Sequence, residues 1–256
     1  MSVWRKRKLK TYEDLPELRR QAFVDCIMKK STEESIVGTF GSNVNQPLIY
    51  AYGLYPVPIE GLDSNIYAYG DYIGCDLIKS SIIYLKTEKC PLLFSSNMYV
   101  VEDFCPYIIK SLREETQKPV YVYNSEDGLR MELEAVYHRE YSKEKHEWAI
   151  DEFKRIDTAI DKLHRSNLTG REIFLVEFFS RYLIDLEERR EFLEETVSEL
   201  TVDEIEKQVV PALCVGGIFR AIDKYMNTTR YILTEDVGSP KFACRGCFKG
   251  EIKFNY

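Results

Sequence analysis

Short apolar and β-branched runs separated by stretches of helical periodicity fill the first half of this chain, and that alternation constrains its fold more than any other feature. SIVGTF (35–40), YPVPI (55–59), PLLFSS (91–96) and PVYVYN (119–124) read as extended segments. Residues 11–30 carry Leu15, Leu18, Ala22, Phe23 and Cys26 at helical spacing, and Lys29 and Lys30 sit at the end that favours positive charge. Gly41-Ser42-Asn43 makes a turn. Pro47 opens a helix, where its missing N–H would be unpaired anyway, and Gly53 closes it. Asp76 to Lys86 reads as a helix, and so do residues 99–117. Extended runs alternating with helices at this spacing predict βαβ crossovers and a largely parallel sheet, so the fold class expected is α/β.

The pattern changes after residue 126. Residues 127–165 are strongly charged but keep Trp148, Ile150, Phe153, Ile156, Ile160 and Leu163 at helical spacing. Thr169 with Glu172 three residues on forms a capping box for the next helix, and LEERREFLEETVSEL makes another. These helices form an insert over 126–207 whose polar faces are expected to be solvated. A new α/β start follows: VVPALCV (209–215) as a strand, Gly216-Gly217 as a turn, IFRAIDKYM as a helix and RYILTED (230–236) as a second strand.

A chain of 256 residues suits one large domain or slightly more, at ~100–200 residues per domain. The net charge of −7 argues against a nucleic-acid partner, because phosphate neutralisation needs a basic surface. The run Arg5-Lys6-Arg7-Lys8 with Lys10 is the exception. It can touch phosphate, although its commoner role is a solvated leader to the first helix. No run of ~18 apolar residues exists to span a membrane. The opening MSVWRKRKLK lacks the apolar core of a secretory signal, so a cytoplasmic location is expected. The seven cysteines are then thiols, metal ligands or core residues rather than disulfides.

Cys26, Cys90, Cys105 and Cys214 fit the role of small core residues. Cys244-Arg245-Gly246-Cys247 differs, since two thiols at this spacing on a glycine-containing turn can bind one metal ion or exchange electrons. One pair is only half a tetrahedral site. The three histidines, His138, His146 and His164, lie in charged helical stretches and read as exposed. Gly216-Gly217 after a strand can cradle a phosphate, although the full glycine-rich pattern is absent. Glu60, Asp63, Asp71 and Asp76 crowd one loop. They are either solvated acids or a pair tuned by burial for acid–base work.

The stretch PLIYAYGLYPVPIEG (47–61) joins a Pro-opened helix, an A-x-G-L turn and an extended P-V segment ending in Gly. It resembles the "P-E-E-[LI]-I-x-A-A-G-L-x-P-V" segment of the 2-hydroxyacyl-CoA dehydratase and benzoyl-CoA reductase superfamily. CDLIKSS (75–81) is similar to that family's "C-P-[YF]-x-[RK]-S" stretch, and Ala68 falls in the variable loop before it. Residues 155–195 resemble the family's inter-domain helices, and VVPALCVGGIFRAIDKYM with YILTEDVG resembles the start of its second domain.

The resemblance implies a Rossmann-like parallel-sheet domain over 1–125, the helical insert over 126–207 and a truncated second α/β segment over 208–256. It also implies an oxygen-sensitive enzyme subunit, a lyase or acyl-CoA reductase type, with a [4Fe–4S] cluster held by cysteines between the two domains. An acyl-CoA ligand and a homologous partner subunit or homo-oligomer follow. Cys75 stands at the first ligand position, and Cys244 and Cys247 can serve as replacement ligands. Ser80, Ser95, Ser96, Gly216 and Gly217 would line the substrate cleft.

The departures are specific. Ser96 stands where the family's second ligand is Cys, and Gly41 stands where many members open the first turn with Cys. The family's remaining ligand lies deeper in the second domain than residue 256 reaches. Three readings result: an iron–sulfur dehydratase-like subunit, a non-catalytic scaffold or partner of the same fold, and a small metal or redox protein using the C-x-x-C.

Overall fold

The computed structural model describes residues 3–33, 35–41, 43–61, 64–70, 72, 76–103, 105–201, 208–211 and 231–234. In chain order the elements are α1 (Val3–Lys6), α2 (Pro16–Glu33), β1 (Ile36–Phe40), α3 (Gln46–Ala51), β2 (Tyr55–Pro58), α4 (Asp76–Lys86), α5 (Pro91–Ser95), β3 (Met98–Glu102), α6 (Pro106–Glu115), β4 (Val120–Tyr123), α7 (Glu126–Tyr137), α8 (Lys143–His164), α9 (Gly170–Ser180), α10 (Leu186–Ser198), β5 (Gln208–Pro211) and β6 (Tyr231–Thr234). Turns of 3₁₀ helix cover Tyr12–Asp14 and Ser64–Tyr69.

The protein is mixed α/β. Four strands form a parallel sheet in the order β2-β1-β3-β4, and β5 pairs with β6, also in parallel. Alternation along the strands sends side chains to two cores. Ile36, Phe40, Val57, Ile59, Tyr99 and Val101 face one, shared with α2, α4, α6 and the later helices. Val37, Met98 and Val100 face the other, which α3 and α7 close through Leu48, Ile49, Leu129 and Leu133. Both faces are therefore covered, as parallel strands require. Gly38 lies opposite Tyr99 in the β1–β3 register, and a Cβ on it would sit 2.7 Å from Tyr99 Cδ1. A side chain at this position would run into the Tyr99 ring, Ser96 and Ile59.

Two segments differ from the sequence reading. PLLFSS was expected to be a strand but forms α5, with Pro91 in its first turn. Leu92 and Leu93 are buried while Phe94 points outward at 68% exposed, a helical rather than an alternating distribution. The strand is Met98–Glu102, where residues 99–117 were expected to be one helix, and α6 starts only at Pro106. The 127–165 stretch also divides. α7 stops at His138, whose φ of 52° gives it the left-handed conformation of a helix C-cap, and Ser142 caps α8 through Lys145 N.

The helices after residue 126 do not stand apart from the sheet. α9 is buried through Ile173, Phe174, Val176 and Phe178 in the same core as β1 and β3. Its capping box, Thr169 with Glu172, forms as the sequence predicts. The polar faces of α8 and α10 are not merely solvated, because Arg190 bridges Glu152 at 2.6 Å and Glu194 at 2.8 Å. In the basic run near the N-terminus Arg5, Lys6, Lys8 and Lys10 are exposed, as expected of a solvated leader, while Arg7 is half-buried and ties the run to the fold. Arg7 binds Glu188 and Asp25, Lys6 reaches Glu188 at 2.9 Å, Val3 N donates to Glu195 at 3.1 Å, and the Trp4 indole donates to Thr196 at 3.1 Å. Glu188 is buried on α10 and needs these cations.

Candidate functional site

The chain leaves β1 and β3 toward opposite faces of the sheet. β1 continues through residues 41–45 into α3 on one side, and β3 continues into α6 on the other. Where neighbouring parallel strands diverge in this way, their carboxyl ends leave a crevice in which open α/β sheets bind ligands. Two carboxylates are buried there. Glu60, just beyond β2, is 2% exposed, and Glu102, the last residue of β3, is 8% exposed.

Each acid has matched donors. The Gly41 N–H donates to Glu60 Oε1 at 3.0 Å, and Arg181 Nη2 donates to the same oxygen at 2.8 Å. Gly41 takes a φ of 102°, open to glycine and strained for other residues, so the chain turns sharply beside the acid. The Tyr182 hydroxyl donates to the Glu60 carbonyl at 3.1 Å, so the end of α9 holds Glu60 at two points. Asn43 donates to Glu102 twice, from its backbone N at 3.2 Å and from Nδ2 at 2.7 Å. Asn45 Oδ1 caps α3 through Leu48 N, while its Nδ2 donates to Glu126 at 2.8 Å.

Two acceptors are left over. Glu60 Oε2 and Thr39 Oγ1 are buried without a hydrogen-bond partner among the described residues. Chemically, the edge offers hydrogen-bond acceptors and one buried cation, suited to holding a donor-bearing ligand. Among the described residues no group of three or more His, Cys, Asp or Glu can hold a metal ion.

Cys75, Cys244, Cys247, Gly216 and Gly217 lie outside the described residues, as do Cys214, Asp63 and Asp71. Ser80, Ser95 and Ser96 are described, and each is 0% exposed. Ser80 Oγ bonds the carbonyls of Gly61 and Leu77, and Ser96 Oγ donates to the Leu92 carbonyl at 2.8 Å. Ser95 Oγ has no partner among the described residues. The hydroxyls of Ser80 and Ser96 are thus taken up by neighbouring backbone carbonyls. Gly61 N in turn donates to Ser81 Oγ at 2.8 Å.

Cys26, Cys90 and Cys105 are buried thiols in the main core, as expected of free cysteines, which are small and usually buried. Burial pushes the Cys26 thiol up to about 12, so it is inert as a nucleophile. Only His138 is exposed. His146 Nδ1 pairs with the Tyr141 hydroxyl at 2.8 Å, and His164 Nε2 pairs with Glu177 Oε2 at 2.8 Å, so two of the three expected exposed histidines are half-buried and partnered.

Sequence reasoning named Glu60 only as one acid in a crowded loop and missed Arg181. The signal for Arg181 was its position, a single guanidinium inside the apolar run FFSRYLI. A charge there is expected to have a buried partner. Fold and edge together define a class: a mixed α/β protein whose parallel sheet carries two donor-matched acids at its carboxyl ends. No family model matches the chain, and no curated protein matches it. Among the described residues no helix is long and apolar enough to cross a membrane.

Proposed function

We propose that this chain is a non-catalytic scaffold or partner subunit built on the Rossmann-like plan of the 2-hydroxyacyl-CoA dehydratase superfamily. One observation carries the reading. Ser96, which stands where that family has its second cluster thiol, is fully buried and donates its hydroxyl to Leu92 O at 2.8 Å. A hydroxyl is a poor ligand for a soft iron–sulfur core, and this one is committed to its own helix. The other described thiols do not fit a cluster either, since Cys26, Cys90 and Cys105 pack as core residues. The parallel order β2-β1-β3-β4, with a second parallel pair after the helices, agrees with the Rossmann-like plan.

In this reading the chain works in the cytoplasm beside a homologous cluster-bearing subunit or a second copy of itself. An acyl-CoA ligand would reach it only through that partner's cleft. The competing reading puts a cluster on Cys75, Cys244 and Cys247. Purification without oxygen, followed by iron, acid-labile sulfide and zinc analysis, separates them. The expected product is colourless and free of iron. About four iron atoms per chain, with a broad visible absorption abolished by Cys75→Ala, would overturn the proposal. One zinc lost on Cys244→Ser would instead favour a metal role for the C-x-x-C.

A further inference from the structure

At the other end of the sheet two ammonium groups converge on one oxygen. Lys118, just before β4, donates from Nζ to the carbonyls of Leu93 and Phe94 at 2.7 Å each. Lys30, near the end of α2, donates to the same Phe94 carbonyl at 2.8 Å. Both cations also lie against the Phe94 ring, at 4.4 Å for Lys30 and 5.8 Å for Lys118. Among the described residues neither has a carboxylate partner. The nearby Glu115 is paired with Lys86. Two like charges sharing a neutral acceptor repel each other, and an anion between them would relieve that repulsion.

A cavity of about 540 Å³ opens beside this pair. Ile27, Leu85, Leu93, Phe94 and the Tyr99 ring give it apolar walls, and Lys118 lies on its lining. Its volume falls within the ~300–1,000 Å³ typical of small-molecule sites, which combine apolar walls with a few polar anchors. Ile27 at 48% and Phe94 at 68% exposed leave apolar surface at its mouth.

We propose that this cavity binds a medium-chain carboxylate, with the tail among Ile27, Leu85, Leu93 and Phe94 and the carboxylate between Lys30 and Lys118. The site lies at the amino end of the strands, away from the acids at the carboxyl edge, and it does not depend on the scaffold reading. Charge decides the ligand's head group, and wall chemistry decides its tail. Burial, with Lys30 nearby, lowers the Lys118 ammonium to about 8. The other titratable groups around the cavity are Glu88, Lys89, Cys90, Tyr99 and Glu115. A bound carboxylate favours the charged amine, so binding near pH ~8.5 takes up a proton.

Calorimetry on the full chain with octanoate and octan-1-ol tests this. Octanoate is expected to bind saturably and about tenfold more tightly than the alcohol, the ratio set by a charge-assisted contact. Lys118→Gln and Lys30→Gln are each expected to weaken octanoate about tenfold and leave octan-1-ol unchanged. The heat of octanoate binding near pH ~8.5 is expected to vary with the ionisation enthalpy of the buffer. Lys30 is partly exposed and makes a single hydrogen bond among the described residues, so its variant stays interpretable should Lys118→Gln fail to fold. No saturable octanoate binding up to ~10 mM would overturn the proposal, as would equal affinity for the alcohol or unchanged octanoate affinity in Lys30→Gln.

Discussion

The two ends of the parallel sheet treat buried charge in opposite ways. At the carboxyl ends of the strands, Glu60 and Glu102 are each met by donors placed to meet them: Gly41 N–H, Arg181 and Asn43. At the amino ends, Lys30 and Lys118 meet carbonyl oxygens and aromatic rings but no carboxylate among the described residues, beside a cavity with apolar walls. A charge with a matched partner is part of the fold, and removing that partner strands it. A charge that rests on neutral dipoles can be discharged or re-partnered at small cost to the fold, which is the property a binding site needs.

The sharpest way to break this contrast is Arg181→Met. It leaves the Glu60 carboxylate buried without its cation, and a loss of ~3–5 kcal/mol in urea unfolding is expected. A loss under ~1 kcal/mol would mean that water reaches Glu60 and that the edge is not a dry site. Asn43→Ala removes one of two donors to Glu102 and is expected to cost ~1.5–3 kcal/mol in the same measurement. Lys118 should act through pH. Its folded value of about 8 lies below the ordinary 10.5, so the unfolded chain binds more protons between those limits. Stability should therefore rise by ~1–2 kcal/mol as pH climbs through that window, and Lys118→Met should flatten the rise. Lys30→Gln should change stability by no more than ~0.5 kcal/mol in thermal unfolding while still weakening octanoate, which would separate binding from folding at the amino edge.

What the sequence made legible was local. The β-branched run of β1, the helix Asp76–Lys86 and the Thr169/Glu172 cap are set by spacing and capping chemistry within a few residues, and they appear where expected. PLLFSS was misread because an apolar run of six is compatible with either strand or helix. The choice went to Pro91 in the first turn and to outward-facing Phe94, neither of which alters the hydrophobic count. The edges were out of reach for a different reason. Glu60 and Arg181 are 121 residues apart, and Lys118 meets Phe94 across 24, so no local period links the partners. Arg181 stood out by its apolar neighbours, but nothing local named Glu60 as its partner or set Lys118 apart from a surface charge.

The clamp between α1 and α10 has a consequence for how the chain is made. The Val3 amide and the Glu195 carboxylate are separated by 192 positions. A ribosome must therefore release nearly the whole helical stretch before α1 meets its partners on α10. Until then the side of Trp4 that packs on Phe192 stays wet and adhesive. A slow translation of residues 186–198 would prolong the interval in which neighbouring nascent chains can stick together.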